Sequence, residues 1–112
     1  MKSGAVIANG TDAPVEDVDP IANFYATVTR RLADGSTFYT DQRMSRPEAL
    51  RSYTRNAAYA AFEEGEKGSL AVGKLADVTV LSKDIMTVPE DEIRSARVDF
   101  TIVGGQVLYE RK

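Results

Sequence analysis

Apolar positions follow three rhythms along this chain. Ala5-Val6-Ile7-Ala8 is an unbroken apolar run closed by Asn9-Gly10, the pattern of a strand buried on both faces, as in a parallel sheet. A loop rich in Asp and Pro follows, and Asp19-Pro20 then offers an N-cap with proline at the first helical position. Behind it Ile21, Phe24, Tyr25, Val28 and Leu32 form one helical stripe, which predicts a helix ended by Ala33-Asp34-Gly35-Ser36. Ser45-Arg46-Pro47-Glu48 has the residues of a capping box. The helix it opens runs through Leu50, Tyr53, Ala57 and Ala60 to about Phe62. Its alanines at 57, 58, 60 and 61 favour helix and let another element come close.

The third rhythm is β. A polar, glycine-bearing break at Glu63 to Gly68 divides the chain into 1–65 and 66–112. Val78-Thr79-Val80-Leu81 is β-branched and apolar. Val98–Val103 and Gln106–Glu110 flank Gly104-Gly105, a two-residue loop able to supply the positive φ values of a type I′ turn. In that hairpin Ile102 should face Val107 and Phe100 should face Tyr109, giving one apolar face. Pro89-Glu90-Asp91-Glu92 predicts a short helical turn before it. Strand, loop and helix in the first part read as one unit of an α/β fold.

Composition narrows the classes. With 43% apolar and 28% charged residues the chain is an ordinary globular one, and no apolar stretch approaches a membrane span. The apolar patch near the N-terminus is too short for a signal peptide. There is no cysteine and hence no disulfide framework, which makes the cytoplasm the default location. The formal charge is −3, from 14 basic and 17 acidic residues. The densest basic cluster, Arg43, Arg46, Arg51 and Arg55, is interleaved with Glu48 on a helix, so a nucleic-acid partner is not expected.

Candidate chemistry is sparse. The absence of histidine rules out Ser-His-Asp and Cys-His arrangements. Asp12, in Gly10-Thr11-Asp12-Ala13-Pro14, follows the expected strand at the edge where α/β folds gather ligands. Its carboxylate could bind a metal or take a proton, or it could cap the Thr11–Pro14 turn. Asp77 could be a second acid–base carboxylate but fits better as a turn tether ahead of Val78. Lys74 sits between glycines, yet its spacing does not match a phosphate loop and no helix follows. Tyr53, Thr54, Arg55 and Asn56 fit capping and surface contact, except that Asn56 could bond a nearby loop.

Taken together, these segments resemble the amidohydrolase superfamily, most closely the amidohydrolase-3 type. The resemblance runs from about Ile7 to Tyr109. It is carried by Gly10-Thr11-Asp12-Ala13-Pro14-Val15, by Tyr53-Thr54-Arg55-Asn56-Ala57-Ala58-Tyr59-Ala60 and by Thr101-Ile102-Val103-Gly104-Gly105. Most specific is Gly68-Ser69-Leu70-Ala71-Val72-Gly73-Lys74-Leu75-Ala76-Asp77 with the strand after it. Such enzymes carry a metal site in a (β/α)8 barrel and build a small β-sandwich from both chain ends. The resemblance implies that this chain is the C-terminal piece of that barrel plus the returning sandwich strands. Residues 1–65 would hold the last barrel strand (Ala5 to Asn9) and the following helices, and 66–112 the sandwich return. It implies that Asp12 touches a divalent metal, zinc first, and shuttles a proton from water to a leaving nitrogen. The parent protein would be a hydrolase acting on a non-peptide C–N bond, amide or N-acyl, of a small molecule. The other ligands, including a His-x-His pair, belong to earlier strands, so the isolated chain is expected to hold no metal and to be inactive. A stand-alone, non-catalytic module for self-association or partner binding is the alternative, and a homo-oligomer is expected in either case.

Overall fold

The computed structural model describes residues 4–112, which fold as three main helices, a short fourth one and a three-stranded antiparallel sheet. Helix α1 (Pro20–Thr29) starts where the sequence places it. The Asp19 carboxylate accepts from the N–H groups of Ile21 at 3.0 Å and Ala22 at 2.9 Å, satisfying two of the donors that a helix start leaves free. The helix ends earlier than the stripe suggested. Arg30 takes the left-handed conformation at φ 56° and its N–H closes on Ala26 O, so Leu32 lies outside the helix and is exposed.

Ser45 and Glu48 form the expected capping box at the head of α2 (Arg46–Tyr53). The Ser45 N–H donates to Glu48 Oε2 at 2.9 Å, and the carboxylate also takes the Ser45 hydroxyl at 2.6 Å. These bonds hold the Glu48 carboxyl down, at a pKa of about 2. The single long helix expected here is instead two. Thr54, at φ −122° and ψ −90°, separates α2 from α3 (Arg55–Ala60). Its hydroxyl donates to Leu50 O at 2.8 Å, a side-chain bond that competes with the helical ladder. The returning chain uses the gap: a Cβ on Gly68 would lie 2.8 Å from Ala58 Cβ and 3.1 Å from Thr54 O.

Strands β1 (Val78–Leu81), β2 (Val98–Val103) and β3 (Gln106–Glu110) form a sheet in the order β1-β2-β3. Gly104 and Gly105 turn the hairpin with φ values of 56° and 80°. Ile102 does face Val107, but a register shift between Thr101 and Ile102 puts Thr101 opposite Tyr109 and Phe100 opposite Glu110. The extra residue in β3 is Leu108, so the expected Phe100–Tyr109 pair is lost to a bulge. Helix α4 (Glu90–Ile93) precedes the hairpin.

The core lies among the helices. Phe24, Tyr25 and Val28 of α1 meet Ala49 of α2 and Ile85, Ile93 and Ala96 from around α4, with Met44, Tyr53 and Leu81 packed against them. No residue of the three strands is fully buried. The strand expected at Ala5–Asn9 is not formed among the described residues, because a ladder needs a neighbouring strand and none lies beside it.

Candidate functional site

With no ladder among the described residues, the segment ahead of Asp12 is held by hydrogen bonds to three helices. Asn56 of α3 donates from Nδ2 to Ile7 O at 2.9 Å. The Asn9 N–H donates to Ser52 O at 3.0 Å. Asn9 Nδ2 reaches Thr27 Oγ1 of α1 at 3.1 Å and Ser52 Oγ of α2 at 3.2 Å. Asn23 of α1 donates from Nδ2 to Gly10 O at 2.6 Å.

Just past this anchored stretch the chain turns sharply. Asp12 adopts φ 57°, a left-handed value that aspartate tolerates better than most residues, and the turn continues through a cis Ala13–Pro14 bond. The turn is closed by the Asp12 carbonyl, which accepts from Val15 N at 2.8 Å and Glu16 N at 3.3 Å. The carboxylate is not used for that purpose. It is exposed and has no hydrogen-bond or ion-pair partner among the described residues.

The other polar candidates are committed. Asp77 Oδ1 accepts from Gly104 N at 2.8 Å, and Gly105 N donates to Ala76 O at 3.0 Å, so Asp77 ties the hairpin turn to the chain ahead of β1. Lys74 Nζ donates to Glu64 O at 2.5 Å and to Lys67 O at 3.2 Å, which staples the loop before the sheet. Arg46 donates to Ile85 O at 3.0 Å. Tyr53 is different: its buried hydroxyl has no hydrogen-bond partner among the described residues. Burial pushes its pKa up, and the Thr27 hydroxyl beside it opposes that shift only in part.

No three His, Cys, Asp or Glu residues among those described are grouped to hold a metal ion. Asp12 offers one carboxylate and no second ligand, which does not fit a metal site made by this chain alone. A cavity of about 740 Å³ forms an apolar groove between α2–α3 and β1, lined by Leu50, Ala57, Leu75, Val78 and Leu81 among others. Asp12 does not line it. No described helix is long and apolar enough to cross a membrane. Sequence reasoning singled out Asp12 and Asn56 but missed Asn9, Asn23, Thr27 and Ser52. The only signal for them was a polar Asn-Gly pair, read as the end of a strand.

The model of the amidohydrolase family matches residues 1–109. A Bacillus subtilis (strain 168) protein, YtcJ, named as an amidohydrolase, is 30% identical over 99% of this chain and 22% of its own length. An N-substituted formamide deformylase of Arthrobacter pascens is 32% identical over 99% of this chain and 20% of its own length. The crystal structure of an amidohydrolase from Thermotoga maritima MSB8 superimposes with a TM-score of 0.70. It covers 98% of this chain and 24% of that one, and at 21% identity it speaks for the fold alone. The chain thus spans only a fifth to a quarter of these proteins, and the match is to a C-terminal piece of a larger one. With the family match running along nearly its whole length, the chain belongs to the amidohydrolase family.

Proposed function

We propose that this chain is the C-terminal part of a hydrolase that cleaves a C–N bond of a small amide or N-acyl compound, and that Asp12 is its proton carrier. The observation that carries this is the state of Asp12: a free carboxylate on a turn anchored by side chains from three helices. Hydrolysis forms a C–O bond from water and breaks the C–N bond. A carboxylate that takes the proton from the attacking water and hands it to the leaving nitrogen serves both steps. The relatives named for amidohydrolase and formamide deformylase activity support the reaction class. Residues 5–9 would be the last strand of a (β/α)8 barrel whose other strands lie outside these residues. The metal implied by the resemblance would likewise take its remaining ligands from there.

The test is Asp12→Asn in the full-length enzyme, which keeps the side chain's shape and removes the base. The kcat should fall by about 10²–10⁴-fold with KM little changed, since proton transfer belongs to the transition state. Asp77→Asn, at the hairpin tether, should leave kcat per folded molecule nearly intact. Normal turnover in Asp12→Asn, or its loss in a folded Asp77→Asn, would show that the wrong aspartate has been chosen.

One observation favours a second role for the isolated chain. Its apolar groove and uncovered sheet suit a non-catalytic module that associates with a further copy of itself.

A further inference from the structure

We propose that Asn9 and Asn23 are positioning residues for the Asp12 carboxylate. The proposal rests on Asp12 acting as the proton carrier, as inferred above. Among the described residues no strand pairs with the segment they hold, and Ala5, Val6 and Ala8 are exposed. Hydrogen bonds tie it to the helices. Asn23 fixes Gly10 through a 2.6 Å bond, two residues before Asp12. Asn9, three residues before it, is tied to α1 and α2 together.

The hydroxyls around Asn9 are oriented in advance. Thr27 Oγ1 donates to Asn23 O at 2.9 Å and Ser52 Oγ donates to Ala49 O at 2.6 Å. Each hydroxyl has a single proton, and both are spent on helix carbonyls. What Thr27 and Ser52 present to residue 9 is therefore two acceptors. Only a side chain with two N–H donors on one atom, at this length, satisfies both. Asparagine does so, and aspartate, of the same shape, would place its own acceptors against theirs beside a buried Ser52. The demand for an amide at position 9 is thus built into two helices, and its product is a fixed origin for the turn that carries Asp12. A displacement of about 1 Å at a reacting group can cost on the order of 10²-fold in rate, so this origin matters to turnover.

The experiment compares Asn9→Ala, Asn9→Asp, Asn23→Ala, Asp12→Asn and Asn9→Ala/Asp12→Asn in the full-length enzyme, with rates normalised to folded protein. Asn9→Ala and Asn23→Ala should lower kcat by about 10- to 100-fold with KM near the wild-type value. Asn9→Asp should be slower than Asn9→Ala, and amide hydrogen exchange at Thr11 and Asp12 should quicken in all three. If Asn9 works through Asp12, the double variant will be no slower than Asp12→Asn alone. Ile93→Val, in the core away from this segment, controls for lost stability and should keep wild-type kcat. Wild-type kcat in folded Asn9→Ala and Asn23→Ala, beside a slow Asp12→Asn, would overturn the positioning role and leave Asp12 as the carrier. Fully multiplicative losses in the double variant would also overturn it. A fast Asp12→Asn would remove the carrier itself, and the positioning role with it.

Discussion

Gly68 and Gly104 share a positive φ, 84° and 56°, yet they do different things. A Cβ at Gly104 would meet nothing within 4 Å, whereas at Gly68 it would strike Ala58 Cβ at 2.8 Å and the backbone of Arg55 and Thr54 at 3.1 Å. Gly104→Ala should therefore lose only the left-handed preference, about 1–2 kcal/mol. Gly68→Ala should lose a similar amount and a further 1–3 kcal/mol, roughly, from overpacking. Urea midpoints of the two variants decide it, and equal losses would mean that the close approach at Ala58 is soft. Glu48 makes a prediction in pH. Its carboxyl is bound to the Ser45 hydroxyl and N–H, so its folded pKa, about 2, lies below the ordinary glutamate value of 4.5. A depressed folded pKa means that the group's contribution is complete above about 4.5 and fades as pH falls toward 2. Glu48→Gln should flatten the stability profile across that acid window and leave its slope at neutral pH unchanged. An unaltered acid slope would show that the capping box contributes nothing to the profile.

The hairpin is the element whose parts were easiest to foresee, and its tether can be tested directly. Asp77 holds Gly104 N while Ala76 O holds Gly105 N, so the turn is attached to the stretch ahead of β1 as well as to its own strands. Asp77→Ala should expose the Gly104 amide to exchange, at a stability cost on the order of 1 kcal/mol. Unchanged protection there would sink the tether. The strand limits at Val98–Val103 and Gln106–Glu110 were legible because Gly104-Gly105 between alternating apolar residues encodes a turn locally. Bulges are not encoded that way. They depend on which strand lies opposite, and so Phe100 came to face Glu110. The break at Thr54 was hidden for a similar reason, since the chain that packs against it at Gly68 arrives from beyond the helix. At the site, Asp12 stood out through its position after an apolar run, but the grip of Asn9 and Asn23 could not be read. Their partners Thr27 and Ser52 are set by helix packing, at sequence separations of 18 and 43 for Asn9. The apolar run itself kept its pattern and lost its strand, because periodicity reports a preferred environment and only a neighbour can supply the ladder.

At the scale of the whole molecule, burial is lopsided. The fully buried side chains belong to the helices and to the stretch around α4, while β1, β2 and β3 contribute none. A sheet is stable when at least one face is covered, and this one leaves Val80, Val103, Val107, Leu108 and Tyr109 exposed. The groove beside β1 adds Leu50 and Leu75, and Phe62 is 93% exposed at the end of α3. Apolar surface on this scale, next to open strand edges, favours pairing with another chain. The isolated chain should therefore be a homodimer or larger at micromolar concentration by light scattering. Edge pairing through β3 makes a sharper claim. Leu108→Lys puts a charge on the bulged residue of that outer strand, where it cannot disturb the helical core. It should shift the population toward monomer while the melt of the helical signal stays in place. Arg43→Ala, ahead of α2 and outside both the sheet and the groove, should leave the association unchanged. A wild-type chain that is monomeric with a cooperative melt would show that the fold closes without a partner. An oligomer indifferent to Leu108→Lys would move the contact from the β3 edge to the groove.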